Sequence, residues 1–288
     1  MSGRQLELAI TLYVFLVAAC VGSFLNVVIA RLPTGKSLIH PPSSCPRCGA
    51  RIRWYDNVPV FAWLWLRGRC RNCGLPISPR YPLVELLTGV LVVAVFHEYG
   101  MTWATLAYAV LVCALVALTF IDLDTWLLPH EITWPLIVLG LLSPLWNPEL
   151  RFSDSAIGAA AGAGFFAAIA LFGEKVLKKE TMGWGDVYLL GAIGAWLGWQ
   201  ALLPVVLLSA VQGAIVGALL LWLKRPHGAT PAPDPKPPEH AASDDDWVPP
   251  PHAVPFGPFL ALAALEQLLV GAFLAEAWFG LMGRLWGG

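Results

Sequence analysis

The sequence predicts an all-α polytopic membrane protein of about eight transmembrane helices, with a small zinc-pinned cytoplasmic lobe between the first and the second. Three observations predict it. The 288 residues are 57% hydrophobic and only 13% charged, with a mean hydropathy of +0.66; a soluble domain carries about 25% charged residues. Uncharged apolar stretches recur at close to the roughly 20 residues that a helix needs to cross a bilayer. Four of the six cysteines form two close pairs, a pattern of metal binding more than of a secreted disulfide framework. The net charge of −1 says nothing about partners; the distribution of charge says more.

Eight apolar segments are candidates for spans: 8–30, 82–99, 103–121, 132–147, 156–173, 186–200, 202–223 and 256–283. The first follows Arg4 and Glu7 and runs uncharged from Leu8 to Ala30, longer than the roughly 7–15 residues of a signal-peptide core. "LVAAC" at 16–20 faintly resembles a lipoprotein cleavage site, but cleavage there would cut the span in half, so a retained helix is expected. The block 187–223 is too long for one span and fits two with a tight turn near "WLGWQALLP".

Lys and Arg set the orientation, because cytoplasmic loops are enriched in them. The segment 31–80 holds nine: Arg31, Lys36, Arg47, Arg51, Arg53, Arg67, Arg69, Arg71 and Arg80. Threading from a cytoplasmic 31–80 also puts Lys175, Lys178 and Lys179, and then Lys224, Arg225 and Lys236, on the cytoplasmic side. Only Arg4, Arg151 and Arg284 fall outside, so 15 of the 18 basic residues lie on one face and both termini lie on the other.

The chain therefore divides into a first helix (1–30), a cytoplasmic four-cysteine lobe (31–80), a membrane core of about six helices (81–223), a linker (224–255) and a last helix (256–288). In 226–255 ten of thirty residues are proline and Asp244 to Asp246 form an acidic run. Such a stretch cannot build a core and is expected to be an extended or disordered connection, or else a docking segment for a partner.

In the lobe, Cys45 and Cys48, then Cys70 and Cys73, form two C-x2-C pairs separated by 21 residues. Each pair puts two thiolates on one tight turn followed by Gly49 or Gly74, and two such turns give the four-sulfur tetrahedron that zinc prefers. A complete set leaves no open coordination position, so the metal is expected to be structural. Nearby arginines are expected to keep the thiols ionised. Disulfides are disfavoured on the reducing cytoplasmic side. Cys20 and Cys113 lie inside spans and read as small core residues. Trp54, Tyr55, Phe61, Trp63 and Trp65 suit an anchor at the membrane interface; basic and aromatic interleaving also suits nucleic acid, but the charge asymmetry already explains it, and no nucleic-acid partner is expected.

Two acids stand out. The uncharged run from Tyr99 stops at Asp122 in "DLDTWLLP", and Asp186 stands in "GWGD" at the head of another apolar segment. Acids at such positions are costly and commonly functional. The threading puts both on the cytoplasmic face at similar depth, with 63 residues between them in sequence. Two facing carboxyls share one proton. The charged member can activate water while the protonated member supports a carbonyl oxygen, which is peptide hydrolysis without a metal. Gly183 and Gly185 leave room for an extended substrate backbone. Asp124 is off that helical face and is secondary. Juxtamembrane acids facing water, and the proton relay of a transporter, remain alternatives at this point.

Five blocks in order resemble the bacterial type IV prepilin peptidases, GxGD aspartic membrane proteases that are bifunctional leader peptidases and N-methyltransferases. They are "GSFLNVVIARLP" (22–33), "CPRC" with "CRNC", "RYPLVELLTG" (80–89), "DLDTWLLP" (122–129) and "GWGD" (183–186). The resemblance implies Asp122 and Asp186 as the catalytic pair and Cys45, Cys48, Cys70 and Cys73 as ligands of a structural zinc. It implies an enzyme of the bacterial inner membrane, active site toward the cytoplasm, with membrane lipid around it. Its substrates would be the type IV prepilins or the pseudopilins of type II secretion, cut just after a glycine. It implies methylation of the new N-terminal residue, often phenylalanine, with S-adenosylmethionine as donor. The cysteine lobe favours the bifunctional type over the archaeal preflagellin peptidases, which generally lack it. His130 stands where an acidic residue is common. No nucleotide fingerprint places the methyl donor, so a leader peptidase without methylation is the alternative within the family. A proton-coupled transporter and a zinc-lobed scaffold are the alternatives outside it.

Overall fold

The computed structural model describes residues 2–178, 182–223 and 254–286, and the side chains among them except those of 177, 272 and 274–286. Among these residues the architecture is helical, without a named strand. The linker expected at 226–255 lies almost wholly outside the described residues, as do Lys179, Lys224, Arg225 and Lys236, and so does the side chain of Arg284.

The helices are α1 (Gly3–Arg31), α2 (Phe61–Trp65), α3 (Arg80–Tyr99), α4 (Trp103–Thr125), α5 (His130–Leu142), α6 (Phe152–Phe172), α7 (Trp184–Leu197), α8 (Leu202–Leu223) and α9 (Gly257–Trp286). All but the short α2, which belongs to the lobe, coincide with the eight apolar segments. The turn foreseen near "WLGWQALLP" is a tight one through Gly198 (φ +80°) and Trp199–Ala201.

Among the described residues, five helical stretches are long and apolar enough to cross a bilayer: Gly3–Thr34, Arg80–Tyr99, Trp103–Thr125, Phe152–Val176 and Trp199–Leu223. His130–Leu145 is a shorter apolar helix, and α7 has 14 residues. At 1.5 Å per residue α7 is about 21 Å long, short of a hydrocarbon core of about 30 Å. Length and composition of the described helices thus support a multi-pass membrane protein with at least five crossings. The exposed surface of α8 is apolar along its length, through Leu203, Leu207, Val211, Ile215 and Leu219. That four-residue spacing makes one continuous stripe suited to lipid.

Helices in lipid associate through close backbone approach at small residues. A β-carbon on Gly158 of α6 would stand 2.1 Å from the Gly194 carbonyl oxygen of α7, and one on Gly162 would stand 2.6 Å from that of Leu190. The Ser155 hydroxyl donates to the Ala195 carbonyl (2.7 Å), and the Trp196 indole donates to the Leu136 carbonyl of α5 (2.8 Å). On the other side of the bundle, a β-carbon on Gly22 of α1 would stand 2.8 Å from the Glu85 α-carbon of α3. The Asn26 amide there donates to the Tyr81 carbonyl at 3.1 Å. Helices α4 and α7 form the interior, with Leu111, Leu115, Leu118, Ile121, Leu189, Leu190 and Ile193 all buried. An apolar helix buried on nearly every side, as α7 is, needs no membrane-length exposure of its own.

The lobe joins the bundle beside the end of α4. Arg80, the first residue of α3, pairs with Asp124 at 2.6 Å and donates to the Phe120 carbonyl at 3.1 Å. One end of the bundle therefore carries both the lobe's exit and the acids of α4.

Candidate functional site

Helix α4 ends because Trp126 turns left-handed (φ +58°) and its N–H closes onto the Asp122 carbonyl at 2.9 Å. Pro129, three residues on, caps α5 with extended backbone (φ −66°, ψ 135°). Asp122 thus lies in the last turn of α4, with 5% of its surface exposed. Asp186 lies in the first turn of α7, its N–H bonded to the Gly183 carbonyl at 3.1 Å. The Leu128 side chain lies against both Gly185, next to Asp186, and Gly257, beside Asp122, so the two acids share one corner of the bundle. The site is a meeting of helix ends, apart from the two cavities of about 310 and 360 Å³, neither of which these carboxylates line.

The Asp186 Oδ1 atom is buried with no hydrogen-bond partner among the described residues. A buried orphan acceptor is costly, and such orphans at a candidate site mark a place for a proton or a substrate group. Against Asp122 lies the head of α9: a β-carbon on Gly257, its first residue, would stand 2.5 Å from Asp122 Oδ2. Gly257 was not foreseen, because it carries no side chain and stands 135 positions along the chain from Asp122.

The two glycines before Asp186 have different tasks. Among the described residues, a β-carbon on Gly183 would meet only Asp186 Oδ2, at 3.9 Å. A β-carbon on Gly185 would stand 2.8 Å from Leu128 Cβ. Gly185 therefore lets α7 pack against the Leu128 turn, which leaves only Gly183 for the role expected of the pair. Asp124 faces Arg80 instead, and the His130 ring packs edge-on against Tyr188, centroids 5.3 Å apart.

In the lobe the four sulfurs of Cys45, Cys48, Cys70 and Cys73 lie within 4.8 Å of one another, with Cys45 and Cys73 at 3.9 Å. A tetrahedron with metal–sulfur bonds of about 2.3 Å has edges of about 3.8 Å, so the set fits a metal ion. The two turns repeat each other. Cys45 N–H bonds the Ala50 carbonyl and Cys70 N–H the Leu75 carbonyl, each at 2.9 Å, while Gly49 and Gly74 take φ near +69° and +68°. Main-chain N–H groups lower three of the thiols: those of Cys48 and Arg47 act on Cys45, that of Ala50 on Cys48, and those of Cys73 and Asn72 on Cys70. The arginines expected to do this are not the cause. At Cys73 the Leu75 N–H favours the thiolate, but desolvation and the neighbouring sulfurs outweigh it and push the thiol up to about 11. A metal would remove that conflict by binding all four as thiolates.

Two contacts fix the lobe. Arg71 donates to both carboxylate oxygens of Asp56, at 2.6 to 3.1 Å, and holds that carboxyl below its usual range. Glu85 of α3 accepts the Val60 N–H at 2.7 Å. Trp54 and Trp65 are more than four-fifths exposed, as an interfacial anchor requires, whereas Trp63 packs over Gly68.

Residues 16–99 match the Bacterial Peptidase A24 N-terminal domain, and residues 109–218 match the Type IV leader peptidase family. The chain is 40% identical to the prepilin leader peptidase/N-methyltransferase of Myxococcus xanthus, across 92% of this chain and 91% of that one. It is 42% identical to the protein of the same name from Aeromonas hydrophila, across 90% of both chains. It is 38% identical to that of Burkholderia pseudomallei, across 94% and 87%. No solved structure matches the chain. Matched along almost its whole length, with the aspartates and cysteines inside the matched segments, the chain belongs to the type IV leader peptidase family.

Proposed function

We propose that this chain is a membrane aspartic endopeptidase that removes the leader of type IV prepilins or pseudopilins and then N-methylates the new N-terminus. The observation that carries the reading is the convergence of two acids, Asp122 and Asp186, on one corner of a helix bundle in a chain of this family.

The chemistry is that of an aspartic dyad sharing one proton. The charged carboxylate takes a proton from water as the water oxygen attacks the scissile carbonyl carbon. The protonated carboxyl gives its proton to the carbonyl oxygen, forming a gem-diol. As the C–N bond breaks, the first acid passes its proton to the leaving nitrogen and a diol hydroxyl returns a proton to the second. Gly183 adds no side-chain bulk before Asp186, which suits an extended substrate backbone. The substrate's apolar helix would enter between spans, and its polar leader would lie against the lobe.

Fifteen of the 18 basic residues fall on the side of the lobe in an eight-span threading, which supports a cytoplasmic active site in a bacterial inner membrane, with both termini outside. The five-part division into first helix, lobe, core, linker and last helix follows the same threading. Zinc, held by Cys45, Cys48, Cys70 and Cys73, would cross-link the lobe without taking part in hydrolysis. S-adenosylmethionine supplies an electrophilic methyl group when bound; its site is unassigned. Of the alternatives, the relatives' names favour the bifunctional peptidase over a leader peptidase without methylation, a proton-coupled transporter or a scaffold.

Mass spectrometry of a prepilin co-expressed with the chain tests the reading. A mature pilin lacking its leader and carrying one added methyl group is expected. Uncut prepilin would overturn the function, and cleavage without methylation would leave the peptidase alone.

A further inference from the structure

Asp122 has an unusual electrostatic position. It lies in the last turn of α4, where the partial negative charge of the helix end opposes a carboxylate. Asp186, in the first turn of α7, enjoys the opposite. Both must reach the charged state in turn if a proton is to pass between them. Something outside α4 has to compensate Asp122.

Helix α9 supplies it. Its N-terminus abuts Asp122, with the buried Gly257 set directly against that carboxylate. A β-carbon at 257 would stand 2.5 Å from Asp122 Oδ2, 3.2 Å from its carboxyl carbon and 3.4 Å from Leu128 Cδ1. The approach is therefore open to glycine alone. Leu128 also walls Gly185, so the turn after α4, the head of α7 and the head of α9 close on one another around the two acids. The aromatic pair Phe256 and Phe166, centroids 6.1 Å apart, ties the entry of α9 to α6.

We propose that Gly257 is a positioning residue for leader cleavage: its bare α-carbon lets the head of α9 close on the Asp122 carboxyl and hold it where it can exchange protons with water and with Asp186. The last helix is then part of the active site, and each acid faces the N-terminus of a helix, Asp186 that of its own and Asp122 that of α9. This rests on the reading of Asp122 and Asp186 as the catalytic dyad.

The test is steady-state cleavage of a prepilin by the full-length enzyme in detergent or liposomes, comparing wild type, Gly257→Ala and Gly213→Ala. Gly213 lies on α8, where a β-carbon would make an ordinary 3.5 Å contact with Phe259 of α9, so its variant controls for packing of the same helix. Displacing a reacting group by about 1 Å costs on the order of 100-fold. Gly257→Ala should lose kcat on that scale, with KM within about two-fold of wild type, while methylation of already cleaved pilin proceeds at the wild-type rate. Gly213→Ala should cleave normally. A Gly257→Ala enzyme with unchanged kcat, or one whose loss lies in KM, would overturn the proposal. So would loss of both activities with a lowered melting temperature, which would make Gly257 a folding residue. Cleavage by Asp122→Asn or Asp186→Asn would instead sink the dyad itself, whatever Gly257 does.

Discussion

Glu85, buried within a membrane-length helix, accepts the main-chain N–H of Val60 in the lobe at 2.7 Å. Val60 is a β-branched residue at φ +62°, and the Phe61 N–H bonds back to the Pro59 carbonyl at 2.6 Å. That strained turn persists only where its surroundings hold it. Glu85→Leu leaves the Val60 N–H without its acceptor and should cost about 1–3 kcal/mol. Glu85→Gln keeps an acceptor oxygen and should cost less. Thermal unfolding and limited proteolysis within 44–79 check this; equal stability of the Leu variant and wild type would show that Glu85 does not hold the lobe.

Helix α6 offers a paired test of packing. Gly158→Ala drives a methyl to 2.1 Å from a backbone oxygen of α7, whereas Gly164→Ala meets nothing within 4 Å. The first should lower the melting temperature and the yield in the membrane, since backbone cannot yield as a side chain can. The second should be neutral or mildly stabilising, alanine being the better helix former by up to about 1 kcal/mol. The two melting temperatures decide the matter, and the reverse order would contradict the α6–α7 contact.

The salt bridge between Arg71 and Asp56 has a definite pH dependence. Arg71 lowers the Asp56 carboxyl in the folded lobe. A lowered folded value gives stability that is complete above the ordinary aspartate range of about 3.9 and is lost as pH falls through the lower folded value. Arg71→Ala should therefore destabilise the lobe by a constant amount from about pH 7 to pH 5, and the difference should vanish only below about pH 4. Unfolding curves of the two proteins across that range check it, and a difference that vanished already at pH 6 would assign the effect elsewhere.

Metal content tests the four-sulfur site. Wild type should carry one zinc per chain, and Cys48→Ser should lose it, with a lobe that chelator no longer affects because it is already loosened. Unchanged stoichiometry in Cys48→Ser would count against a four-thiolate site.

Much of this was legible in the sequence. The apolar segments located every long helix, because each must bury or lipid-solvate some 20 residues of apolar surface. Charge asymmetry put Asp122 and Asp186 at one end, and the structure brings them to one corner of the bundle. What the sequence could not carry were features made of backbone. Gly257 meets Asp122 through an absent β-carbon, and Gly185 serves the Leu128 turn. The thiolates are favoured by turn N–H groups rather than by the visible arginines.

The most direct measurement is cleavage of a co-expressed prepilin by Asp122→Asn, Asp186→Asn and Asp124→Asn enzymes, read by mass spectrometry at matched protein levels. Asp124 faces Arg80 in a half-exposed pair, worth about 1 kcal/mol or less, so its variant should cut normally. The Asp122 and Asp186 variants should each leave the prepilin uncut. Full cleavage by either one would contradict the dyad.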